Sequence, residues 1–189
     1  EQSGHIQEIG FGMYMDLLER AVKALQSGRQ PELDRSLDHG AEINLYIPAL
    51  IPEDYLPDVH SRLIFYKRIA SAKDKTELKE LQVEMIDRFG LLPEPIRNLF
   101  AITELKLKAN PIGIKKVEVS EQGGRILFHQ QTNLDPAKIL GLIQNQPDVY
   151  KLEGQDKFRI IKKMPEFQDR FEELDELLEH IIDQTAVYQ

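Results

Sequence analysis

Between Leu78 and Phe89, apolar residues return at helical spacing as Leu78, Leu81, Met85 and Phe89. Glu80, Glu84, Asp87 and Arg88 return with the same period, on a stripe roughly 120° away at 100° per residue. Together the stripes predict a helix from Asp74 or Lys75 to Phe89. Asp74 serves as N-cap, and Glu77 stands three residues on as its capping-box partner. Gly90 falls where a left-handed cap is expected, and Pro93 blocks continuation. Folding needs only the apolar stripe. The bland account of the charged stripe is a solvated face with a Glu84–Arg88 pair, worth a few tenths of a kcal/mol at about i,i+4.

The same reading extends along the chain. Leu17, Leu18, Ala21, Val22 and Leu25 give the apolar face of a helix over Gly12–Leu25, and the polar stretch 28–40 reads as a surface loop. Ile43, Leu45 and Ile47 alternate with Asn44 and Tyr46, a strand pattern. Pro48, Pro52 and Pro57 keep the next segment rigid and extended. A helix is expected from about Pro57 to Ala72, with Val59, Leu63, Tyr66 and Ala70 on its inner side. Another starts near Pro93 and ends near Asn110-Pro111, burying Ile96, Leu99, Phe100, Thr103 and Leu107.

Past Pro111 the period changes to two. Lys115–Val119 and Arg125–Phe128 flank Glu121-Gln122-Gly123-Gly124, a β-hairpin signature. A helix over Asp135–Gln144 separates it from a second hairpin, Val149–Leu152 and Phe158–Ile161. The last helix, Pro165 to about Ile182, carries a heptad seam at Phe167, Phe171, Leu174, Leu178 and Ile181. That seam is too short for a free coiled coil, so it reads as a docking helix, or more sharply as one that a partner could displace. Gln184–Gln189 read as a frayed end. The order predicts an α+β fold: a helical N-terminal half with one strand, then two β-hairpins and two helices, packed as one compact domain over 41–189.

Composition narrows the chemistry. The 189 residues carry a net charge of −8, which disfavours nonspecific nucleic-acid binding. There is no Cys, which removes thiol nucleophiles, disulfides and zinc-thiolate sites and fits a reducing compartment. Apolar runs such as Leu63–Tyr66 and Leu99–Ile102 are far too short to cross a bilayer, and no signal peptide is evident. An opening Glu1 is expected of a fragment or processed product. No phosphate-binding glycine pattern, nucleophile elbow or zinc-ligand spacing among His5, His39, His60, His129 and His180 is present. Carboxylates are plentiful, but any acidic protein offers pairs, so a hydrolase reading from them is weak. Short basic pairs leave a second reading open: an accessory nucleic-acid-binding module built on Lys115, Lys116, Arg125, Lys162 and Lys163.

Five separated blocks then carry a resemblance. They are Gly4–Tyr14 with Leu17–Val22, Ile51–Leu56, Arg62–Arg68 and Asp87–Pro93. In this order they resemble the C-terminal module of the bacterial transcription-repair coupling factors, the Mfd family. The resemblance implies a parent that is an ATP-dependent DNA translocase, which displaces stalled RNA polymerase and recruits nucleotide excision repair in the bacterial cytoplasm. Glu1–Gly4 is similar to the tail of that motor's post-helicase motif, with Gln2 matching its coupling glutamine. On this basis 1–27 is the linker and helix after the motor. No cofactor is expected in the fragment; ATP and Mg belong to the parent motor.

The resemblance further implies a non-catalytic, autoinhibitory regulatory domain. Its partner would be the UvrB-like N-terminal module of the same protein, with UvrA and RNA polymerase affected indirectly, DNA met only through the motor, and no membrane involved. Glu80, Glu84, Asp87 and Arg88 become the expected partner-binding residues. Charge reversal at Glu84 or Arg88 is expected to weaken that contact while leaving the isolated domain's melting temperature nearly unchanged.

Overall fold

The computed structural model describes residues 40–182. The helix expected over Gly12–Leu25, nearly all of the 28–40 loop, Gln2 and the tail from Gln184 lie outside them. The described residues form an α+β fold in the order β1 (Glu42–Asn44), α1 (Val59–Ala70), α2 (Lys75–Phe89), α3 (Glu94–Ile112), β2 (Ile114–Ser120), β3 (Gly123–Phe128), α4 (Pro136–Asn145), β4 (Tyr150–Glu153), β5 (Lys157–Ile160) and α5 (Phe167–Ile181). Both hairpins and all five of these helices fall where the pattern of the chain puts them.

The strands make one sheet in the order β1-β2-β3-β5-β4. β1 runs parallel to β2, with Ile43 opposite Val117, and every other pairing is antiparallel. Alternation along the strands turns Val117, Val119, Ile126, Phe158 and Ile160 to one face, where each is at most 1% exposed. α5 closes over that face with Leu174, Leu177, Leu178 and Ile181. The opposite face carries charged residues.

A second core lies in the helical half, built from Phe65 and Ile69 of α1, Leu78, Leu81 and Met85 of α2, and the first turns of α3. α3 joins the two. Its Ile96, Leu99 and Phe100 belong to the helical core, whereas Ile102, Leu105, Ala109 and Ile112 belong to the sheet core. A helix that enters two cores in succession buries one side in its first half and roughly the opposite side in its second, which a one-sided stripe does not convey.

Four expectations need correction. The inner side of α1 is Phe65 and Ile69, while Val59 is 59% exposed and Ala70 is exposed as well. α2 and α3 pack against one side only, and periodicity alone left two overlapping stripes from which to choose. β1 ends at Asn44 because Tyr46 takes φ 56°, which turns the chain before Ile47 can continue the alternation. Pro111 lies within α3 rather than beyond it. The stop is Gly113, at φ 91° and ψ 32°, whose N–H bonds back to Ala109 and Asn110 carbonyls. Gly90 ends α2 with φ 96° but ψ −173°, an extended conformation reserved for glycine rather than the left-handed helical one.

Buried polar groups fasten the sheet core. Arg170 on α5 is 8% exposed and donates to three backbone carbonyls, of Met164 at 2.8 Å, Leu45 at 3.0 Å and Pro165 at 2.9 Å. The Tyr150 hydroxyl donates to buried Glu173, whose other oxygen receives Lys162 at 3.1 Å. Burial and that carboxylate push the Tyr150 phenol well above its ordinary value.

Candidate interaction surface on the second helix

α2 begins with the capping arrangement that its sequence signals. The Asp74 carboxylate accepts from the Glu77 N–H at 2.9 Å, and Glu77 reaches back to the Lys73 N–H at 2.7 Å, one residue before the usual target. Capping fixes where the helix starts, and Leu78, Leu81 and Met85 fix its rotation by facing inward. Every outward side chain of α2 is placed by those two constraints.

The charged stripe divides in two. Glu84 and Arg88 turn toward α1, where the Arg68 guanidinium grips both Glu84 oxygens, one of them at 3.0 Å. Arg88 approaches the same carboxylate at 3.6 Å. Both guanidinium groups lie over the Phe65 ring, at 5.2 and 5.4 Å from its centroid, and Arg88 also lies 5.0 Å from that of Phe89. The edge of Phe89 meets Phe65 and Tyr55, and the Tyr55 hydroxyl reaches the Gly90 carbonyl at 2.9 Å. The result is a layered seam between α1 and α2: aromatic rings beneath, an Arg68–Glu84–Arg88 cluster above. The Arg68 hydrogen bonds hold the Glu84 carboxyl below its ordinary value.

Glu80 and Asp87 lie roughly 70° further round the helix. Both are exposed, and neither makes an ion pair among the described residues. Exposed Val83 and Ile86 stand on their far side, with Leu91 just past the helix end at 86% exposure. The four predicted residues therefore share one helix but not one role. Glu84 and Arg88 shape the seam, and Glu80 and Asp87 face outward beside an apolar border. Arg68, Phe65 and Tyr55 were missed as parts of this surface. Arg68 lies 16 residues from Glu84, beyond the reach of helical spacing, and only the block Arg62–Arg68 pointed to it.

The basic residues of the second reading do not converge. Lys116 and Arg125 share the open sheet face, where both are held by Glu118, at 3.0 and 2.7 Å. Lys162 bonds the buried Glu173 on another part of the molecule. Among the described residues no group of three or more His, Asp and Glu side chains is arranged to hold a metal ion. No helix among them is long and apolar enough to cross a membrane.

Comparison with known proteins places this geometry in a family. The model of the TRCF domain matches residues 45–139. The chain is 48% identical over 181 residues to the transcription-repair-coupling factor of Haemophilus influenzae, covering 96% of this chain and 16% of that protein. The Escherichia coli protein of the same name is 48% identical over 172 residues, covering 91% and 15%. The chain thus spans about one sixth of the length of these relatives. Among solved structures, a crystal structure of the C-terminal domain of transcription-repair coupling factor superposes with a TM-score of 0.63 at 23% identity. It covers 75% of this chain and 94% of that one, which establishes a common fold.

Proposed function

Because the chain belongs to the TRCF domain family, we propose that it acts as the regulatory, non-catalytic domain of a transcription-repair coupling factor. In this reading the domain packs on the UvrB-like N-terminal module of its own protein. There it masks the surface that would recruit UvrA, and it restrains the ATP-driven DNA motor in the cytoplasm until stalled RNA polymerase is engaged. The observation that carries the reading is the division of the α2 stripe. Glu80 and Asp87 are left exposed and unpaired among the described residues, beside a seam that holds Glu84 and Arg88 in fixed positions. Pre-positioned charges lower the ordering cost of a contact.

The strength also suits a switch. A contact that opens when a partner supplies a few kcal/mol must be modest. Charged groups with a narrow apolar border, here Val83, Ile86 and Leu91, satisfy that better than a broad apolar face. The test is a calorimetric titration of this chain with the purified UvrB-like module. Asp87→Arg is expected to weaken binding at least tenfold with an unchanged melting temperature, because Asp87 makes no ion pair within the described residues. Equal affinity of Asp87→Arg and wild type removes α2 from the contact.

A further inference from the structure

The sheet face left open by the described residues carries an arrangement that folding does not call for. Arg125 of β3 stands directly opposite Arg159 of β5, and Arg159 directly opposite Lys151 of β4. Like charges in directly opposed positions destabilise a sheet. Here three cations stand in consecutive strands of a chain whose net charge is −8. Carboxylates serve two of the three cations, each on one side only. Glu118 on β2 takes Arg125 at 2.7 Å, and Glu153 takes Arg159 at 2.8 Å, while Lys151 makes no ion pair among the described residues. One step along the strands, Leu127 stands opposite Lys157, giving the face an apolar position and a further cation. A recess of about 340 Å³ opens over this area, lined by Glu118, Arg125, Arg159 and Lys157 and by the bare backbone of Gly123 and Gly124.

We propose that this sheet face is a docking surface for an acidic α-helix of a protein partner, lying across the strands with its carboxylates over Arg125, Arg159 and Lys151. The spacing supports a helix. Neighbouring strands are about 4.8 Å apart, and successive turns of a helix rise about 5.4 Å, so glutamates one turn apart meet cations one strand apart. An extended segment would bring successive same-side carboxylates only about every 6.8 Å, out of step with the row. Glu118 and Glu153 within the face oppose a continuous phosphate backbone and favour discrete carboxylates, so a protein fits better than a nucleic acid. This surface belongs to the sheet half and is separate from the α2 stripe.

The probe is a capped helical peptide with glutamate at every fourth position, titrated into the ¹⁵N-labelled 189-residue chain. Controls are the same peptide with glutamine and a single-stranded oligonucleotide of equal charge. The expected result is saturable shifts confined to β2, β3, β5 and β4, affinity falling at least tenfold between low and high salt, and no response to the glutamine peptide. Arg159→Gln should weaken binding about tenfold or more. Lys157→Gln, which disturbs no ion pair among the described residues, keeps the test open if Arg159→Gln is unstable, and should weaken binding severalfold. Absence of shifts, shifts centred on Lys162 and Lys163, or tighter binding of the oligonucleotide than of the peptide would overturn the proposal.

Discussion

In the helical half, the charged groups that join elements lie at the surface, Arg68 to Glu84 between α1 and α2, and the buried polar link is neutral, Asn98 to the Pro48 carbonyl at 2.9 Å. In the sheet half, the corresponding groups are buried: Arg170 under three carbonyls, and Glu173 between Tyr150 and Lys162. Depth sets their use. A buried polar group is costly to leave unmatched, so its geometry is committed to folding. A surface cluster contributes little to stability and can exchange partners. The helical half is therefore the better candidate for a contact that opens and closes, and the sheet half the better candidate for a fixed platform.

α3 supplies the sharpest way to break this comparison, because it contributes to both cores. Phe100→Ala empties part of the helical core and should cost about 3–5 kcal/mol; Leu105→Ala, five residues beyond on the sheet side, should cost about 2–5 kcal/mol. Each should lower the melting temperature by roughly 5 °C or more in a chain of this size. With α3 continuous, both variants should still unfold in one transition, seen alike by far- and near-ultraviolet circular dichroism. Two resolved transitions in either variant would show that the halves melt independently.

The next largest effect is expected at Arg170. Arg170→Met keeps the aliphatic stem and removes the donors to Met164, Leu45 and Pro165. Leaving such carbonyls unmatched should cost about 3 kcal/mol after partial rehydration. Chemical denaturation measures it, and a loss below about 0.5 kcal/mol would mean that the sheet core is closed by packing alone.

What the chain discloses in advance divides along similar lines. Local signals were legible: the Asp74 cap, the hairpin turns at Gly123-Gly124 and Gly154, and the starts of α3 and α4 at proline. Each is decided within a few residues. The parallel pairing of β1 with β2 was not, since those strands are separated by three helices. The Arg170–Leu45 bond spans 125 residues, and nothing near Arg170 marks it as buried. α1 failed for a related reason. Val59 and Ala70 repeat as well as Phe65 and Ile69 do, and only the position of α2 and α3 selects between them, while Tyr66 does pack against the helical core as expected. At the candidate surface, periodicity found the α2 residues but grouped Glu84 with Asp87, because Arg68 lies on another helix.

The smallest effect is expected at Glu84, and it bears most directly on the division of α2. Glu84→Gln should cost about 0.5–1 kcal/mol, near the upper range for a partly exposed cluster, or roughly 1–4 °C. This revises the expectation of an unchanged melting temperature for Glu84, while Asp87→Arg keeps it. The pH dependence identifies the source. Hydrogen bonding by Arg68, with Arg88 assisting, lowers the folded carboxyl below its ordinary 4.5. The ionised form is therefore favoured by folding. Its contribution is present above pH 4.5 and is lost as pH falls through the lowered folded value. The wild-type advantage over Glu84→Gln should then shrink in acid and also at high salt, since the cluster is open to solvent. Glu118 on the sheet, lowered by Lys116 first and then by Arg125, should behave alike. A Glu84→Gln cost that stays constant from neutral pH to below 4 would locate the effect in packing against Phe65 rather than in charge. Glu84 would then join the committed geometry of the fold, leaving Glu80 and Asp87 as the exchangeable part of α2.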